Sequence, residues 1–121
     1  MSEEMSLPPK VQQRLVRYQQ LQQTLQAISA RKQQLSLELM EVENALKALG
    51  EVDDATPVYK SIGALLIRTE KAKLIQELED KKEVIKLHLE RLESQEKRAQ
   101  EELKDIEAKL RRDLGGGSGA P

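Results

Sequence analysis

The chain has 121 residues, of which 38% are hydrophobic but only 2% aromatic, with no Phe and no Trp. Without the bulky side chains that fill compact interiors, its composition argues against a conventional globular core. Charge is abundant but balanced, with 20 Lys+Arg against 21 Asp+Glu and a net charge of -1, so no excess of one sign marks nucleic acid or an anionic membrane as a partner.

Ala, Glu, Lys, Leu, Arg and Gln dominate, which is the composition of long helices and coiled coils. The absence of Cys rules out disulfides and thiolate metal sites. The start, Met1-Ser2-Glu3-Glu4, is acidic and leads into no apolar run long enough for a signal peptide or membrane span. A cytoplasmic protein is expected.

From Val11 to Leu49 the apolar residues recur at alternating spacings of three and four. With Val11 as heptad position a, the a positions are Val11, Tyr18, Leu25, Lys32, Leu39 and Leu46, and the d positions are Arg14, Leu21, Ile28, Leu35, Val42 and Leu49; ten of these twelve are apolar. Pro8 and Pro9 sit where the first helical turn has no use for an N–H, and Gly50 follows the last periodic residue. A helix over about 9–49 is predicted.

Residues 50–57, Gly-Glu-Val-Asp-Asp-Ala-Thr-Pro, read as a loop. Two β-prone runs follow, Val58 to Ile62 and Leu65 to Thr69, around Gly63-Ala64. Gly as first central residue suits a type II′ turn, which pairs Ile62 with Leu65 and Tyr59 with Arg68 in a hairpin over 58–69. Thr69 is the expected N-cap of a second helix, with Glu70 in its first turn.

That helix, over about 70–113, has a positions Ile75, Lys82, Leu89, Glu96, Leu103 and Leu110, and d positions Leu78, Ile85, Leu92, Ala99, Ile106 and Asp113. Glu–Lys or Glu–Arg pairs four apart, such as Glu77/Lys81 and Glu107/Arg111, support helix without specifying a site. The two helices match in length, and neither buries its stripe alone. They are expected to fold back as an antiparallel coiled coil, Leu46 beside Leu78, Leu39 beside Ile85, Leu21 beside Leu103 and Tyr18 beside Ile106. In that register Arg14 and Asp113, and likewise Lys32 and Glu96, fall in adjacent layers, where opposite charges help set alignment.

The fold class is therefore mainly α, a long antiparallel two-helix coiled coil with one short β-hairpin at its closed end. Residues 1–114 form a single unit, and 115–121 are a flexible Gly/Ser-rich tail. A lone hairpin is marginal in water and leaves both edges unpaired, so hairpins from several chains are expected to join an intersubunit sheet or barrel.

A coiled coil interrupted by Val58-Tyr59-Lys60-Ser61-Ile62-Gly63 and Leu65-Leu66-Ile67-Arg68-Thr69 resembles the beta class of archaeal prefoldin subunits across roughly residues 7–114. The single hairpin points to the beta class, since alpha subunits of that family carry two. The resemblance implies a hexamer of two alpha and four beta subunits, with a β-barrel body and coiled-coil arms. It also implies ATP-independent capture of unfolded polypeptide clients and delivery to a group II chaperonin. Assembly would then fall to Val58, Tyr59, Ile62, Leu65, Leu66 and Ile67. By position alone, client binding would fall to Leu7, Pro8, Pro9, Val11, Leu15, Ile106, Leu110 and Leu114 at the open end. For Val11, Ile106 and Leu110 the alternative is that they simply close the seam.

Other residues carry blander readings. His88, the only histidine, lacks a second ligand and reads as helix surface. Gln12, Gln13, Gln19, Gln20, Gln22, Gln23 and Gln26 read first as solubilising residues, and Leu37, Met40, Val84 and Leu87 as ordinary surface apolar residues. No nucleophile, base and orienting group converge, so no enzyme, cofactor or metal is expected. The rival to the chaperone reading is a structural coiled-coil scaffold or tether, which has no need of a β insertion.

Overall fold

The computed structural model describes residues 7–116. The acidic start, residues 1–4, and positions 117–121 of the tail lie outside them. The elements follow in the order α1 (Pro9–Gly50), β1 (Val58–Ile62), β2 (Leu65–Thr69) and α2 (Lys71–Arg111), which continues as one wider turn, Arg112–Gly116.

The start of α1 follows from proline chemistry. The carbonyl of Pro8 accepts from the N–H groups of Val11 and Gln12, both at 3.0 Å, while Pro9 occupies the first helical position, where its missing donor costs nothing. Gln12 Nε2 adds a 2.6 Å bond to the Leu7 carbonyl, drawing the preceding residue onto the first turn. At the other helix start the cap differs from expectation. Leu74 N–H donates to the carbonyl of Glu70 at 3.0 Å, which makes Glu70 the cap, while Thr69 is the last ladder residue of β2. Pairing with Val58 holds Thr69 in strand geometry and so moves the helix start one residue on.

The described residues form two compact units. One contains residues 7–31 of α1 with 92–116 of α2 and its terminal turn; the other is residues 32–91. In the first unit Val11, Leu21, Ala99, Ile106 and Leu110 are buried in one cluster, with Leu7, Leu15, Tyr18, Leu25 and Leu103 packed against it. These are the heptad a and d positions plus Leu7 and Leu15, so the first and last parts of the chain run antiparallel here. Arg14 and Asp113 form an ion pair across this seam. Arg17 Nε and Nη2 donate to the two carboxylate oxygens of Glu102 at 2.7 and 2.8 Å. Both Arg17 and Glu102 are g positions, and g-to-g pairing flanks an antiparallel seam, whereas a parallel one pairs g with e.

In the second unit Leu35, Val42, Leu49 and Ile85 are the buried residues. The hairpin pairs Val58 with Thr69, Tyr59 with Arg68, Lys60 with Ile67, Ser61 with Leu66 and Ile62 with Leu65. Gly63 has φ +58, in the left-handed range, and no described residue other than glycine has positive φ, Ala64 included. Positive φ at the first central residue alone is the signature of a II′ turn, which only Gly enters without strain.

Candidate functional site

Two regions present groups that a partner could use: the hairpin, and the open end where the start of α1 packs against the last turns of α2. In the hairpin, alternation along the strands puts Val58, Lys60, Ile62, Leu65, Ile67 and Thr69 on one face and Tyr59, Ser61, Leu66 and Arg68 on the other. The first face turns toward its own helix. Lys60 Nζ lies 3.1 and 3.2 Å from the carboxylate oxygens of Glu77, and Val58 and Thr69 are half-buried. The second face is open, with Tyr59 56% and Leu66 75% exposed.

The edges are equally open. A two-residue turn closes on a hydrogen-bonded pair, here Ile62 and Leu65, and the antiparallel ladder then alternates. The non-bonded pairs Ser61–Leu66 and Tyr59–Arg68 therefore direct main-chain N–H and C=O groups outward from both strands. Among the described residues the sheet has only these two strands. Of the residues expected to serve assembly, Tyr59, Ile62, Leu65, Leu66 and Ile67 are exposed and Val58 is partly covered by its own chain.

A clamp steadies the hairpin's approach. Lys71 Nζ donates to the Val52 carbonyl at 2.7 Å and lies 3.1 Å from Asp54 Oδ1, tying the loop after α1 to the first residue of α2. Sequence pattern gave no sign of Lys71, because it precedes the heptad and its partners belong to the loop.

At the open end the candidate residues divide by environment. Val11, Ile106 and Leu110 are buried in the seam, and Leu7 and Leu15 are half-buried against the same cluster. Leu15 is an e position, next in sequence to the d-position Arg14, which pairs with Asp113 across the seam. Pro8, Pro9 and Leu114 are exposed, Leu114 by 54%. Heptad phase alone did not separate Leu15 from Leu114, since both are e positions. What separates them is that α2 gives way at Arg112 to the wider turn ending in glycine, and Leu114 lies within that turn.

Arg17 and Glu102 also shape this end electrically. The hydrogen bond from Arg17 holds the Glu102 carboxyl below the usual carboxylate range, and the same bond raises the Arg17 guanidinium. Among the described residues, no group of three or more His, Cys, Asp or Glu side chains is placed to hold a metal. No described helix is long and apolar enough to cross a membrane.

Paired helices joined through a two-stranded sheet with open edges define a coiled-coil protein of the β-hairpin-inserted class. The family model described as "Prefoldin subunit" matches residues 12–117. The prefoldin subunit beta of Thermococcus onnurineus is 39% identical over 105 residues, 87% of this chain and 90% of that protein. That of Archaeoglobus fulgidus is 40% identical over 104 residues, 86% and 90% of the two chains. Among solved structures, the prefoldin beta subunit from Thermococcus strain KS-1 superposes with a TM-score of 0.81 at 37% identity, covering 91% of this chain and 96% of that one. The beta2 subunit from the same strain gives 0.67 at 31% identity, covering 75% and 97%. This chain belongs to the prefoldin family and is a chaperone subunit.

Proposed function

We propose that this chain is a beta-type subunit of an ATP-independent holdase, which binds unfolded polypeptides at its open end and delivers them to a group II chaperonin in the cytoplasm. Its partners are alpha-type subunits, in a hexamer of two alpha and four beta chains. The observation that carries the reading is the hairpin. A two-stranded sheet with both edges and the Tyr59/Leu66 face open is incomplete alone, and each Leu or Ile buried on pairing contributes about 1.5–3 kcal/mol before ordering costs. Pairing with neighbouring hairpins satisfies the outward main-chain groups as well as the side chains.

Client binding is read from Pro8, Pro9 and Leu114, which are exposed, with Leu7 and Leu15 beside them and Val11, Ile106 and Leu110 reached as the ends fray. Each contact is weak, so several arms acting together supply the affinity, and weak contacts let a client leave without nucleotide hydrolysis. The test is aggregation of a diluted, chemically unfolded protein without ATP, in the presence of the assembled complex. Variants cut before Leu15 and after Leu103 that still assemble should lose the suppression seen with the full chain. No suppression by either would mark a structural scaffold instead.

A further inference from the structure

Along α1 in the first unit runs an outward column without a charge. Its f positions are Pro9, Val16, Gln23 and Ala30, and its c positions are Gln13, Gln20 and Ala27. Indeed, from Tyr18 to Ala30 no residue is charged, in a chain that is 34% charged. The corresponding outward positions of α2 in the same unit are Arg98, Asp105, Arg112, Ser94, Glu101 and Ala108, mostly charged. Solvation alone does not call for a neutral column on one helix beside a charged one on the other. All seven α1 positions are exposed, Val16 by 53%.

The surface here is dished. A groove of about 370 Å3 is lined by Pro9, Gln12, Gln13, Val16, Arg17 and Gln20. A second, of about 430 Å3, is lined by Thr24, Ala27, Ile28 and Arg31 of α1 with Leu92 and Gln95 of α2. Each groove has one charged lining residue, Arg17 in the first and Arg31 in the second, and Arg17 is turned aside by its two bonds to Glu102.

We infer that this glutamine column is a second client-contact surface, which binds the main chain of an extended, unfolded polypeptide; the inference rests on the holdase reading above. A Gln side chain carries the same amide donor and acceptor as a peptide bond, so it partners main-chain groups whatever the client's sequence. A neutral column also spares the cost of desolvating ions as the client settles. From Pro9 to Ala30 the column spans about 32 Å at 1.5 Å per residue, room for about ten extended residues at 3.3 Å each. A folded partner or a second copy of the chain fits the surface poorly. Only Pro9 and Val16 offer sizeable apolar anchors, and each Gln loses about 1.5–2 kcal/mol of rotamer freedom if fixed in one geometry. An unfolded client lets the amides exchange partners and keeps much of that freedom.

The test uses the full chain assembled with its alpha-type partner and a permanently unfolded probe, reduced and carboxymethylated lactalbumin, followed by fluorescence anisotropy. Gln13→Glu, Gln20→Glu and Gln23→Glu together, and separately the three as Lys, should each weaken probe binding by at least about tenfold with helicity and assembly unchanged. A benzophenone crosslinker at position 23 should label the probe, and one at position 101 of α2 should not. Undiminished binding by both triple variants would overturn the column while leaving the holdase reading intact. Weakening by one charge sign only, or crosslinking from position 23 to another subunit, would also overturn it. If the unmodified complex fails to bind the probe, both readings fall.

Discussion

Leu21→Ala empties the best-covered seam position of the first unit, a side chain only 2% exposed within the cluster of Val11, Ala99, Ile106 and Leu110. Leu-to-Ala changes at buried sites cost about 2–5 kcal/mol, the sum of lost transfer energy and an unfilled cavity. A two-helix seam has solvent on both sides and relaxes more readily than a globular interior, so the lower half, about 2–3 kcal/mol, is expected here. The loss is local to this unit, and amide exchange over residues 92–116 should therefore accelerate about 30- to 140-fold at a tenfold per 1.4 kcal/mol. Hydrogen exchange read by mass spectrometry on the assembled complex measures this directly. The matched control is Leu37→Ala, where the side chain is 56% exposed and the change should stay within about 0.5 kcal/mol. Unchanged exchange in residues 92–116, or equal effects of the two substitutions, would refute the heptad assignment on which the open end is built.

Gly63→Ala places a Cβ at φ +58 with nothing within 4 Å of it, so the cost is backbone strain, about 1–2 kcal/mol, and should appear as assembly shifted to higher subunit concentration in sedimentation. Lys71→Ala removes the bond to Val52 and the pairing with Asp54, and should cost about 1.5–3 kcal/mol, read as faster proteolysis within residues 51–57. Because the Arg17 bond depresses the Glu102 carboxyl, its contribution is present above the ordinary Glu range and is lost as pH falls through the lowered folded value. The melting difference between the unmodified chain and Glu102→Gln should accordingly be present at pH 7, vanish in strong acid, and shrink in high salt, since both side chains are exposed.

Much of this protein was legible from residue order because coiled coils and tight hairpins are local constructions. Every α1 seam position from Val11 to Leu49 is buried or half-buried, as spacing alone required, since helix geometry returns each third or fourth residue to one side. The pairing of Ile62 with Leu65 and Tyr59 with Arg68 followed from the conformational freedom of Gly63 at a two-residue turn. Where a neighbouring segment decides the outcome, pattern fell short. Thr69 stays in the sheet because Val58 pairs with it, so Glu70 takes the cap. Arg17 finds Glu102, and Lys71 finds Val52 and Asp54, only after the helices are aligned and the loop is laid down. Leu15 and Leu114 share a heptad position, yet Leu15 lies against the cluster while Leu114, in the wider turn that follows α2, stays exposed. Period sets which side of a helix is apolar; the length and alignment of its partner decide which residues on that side are covered.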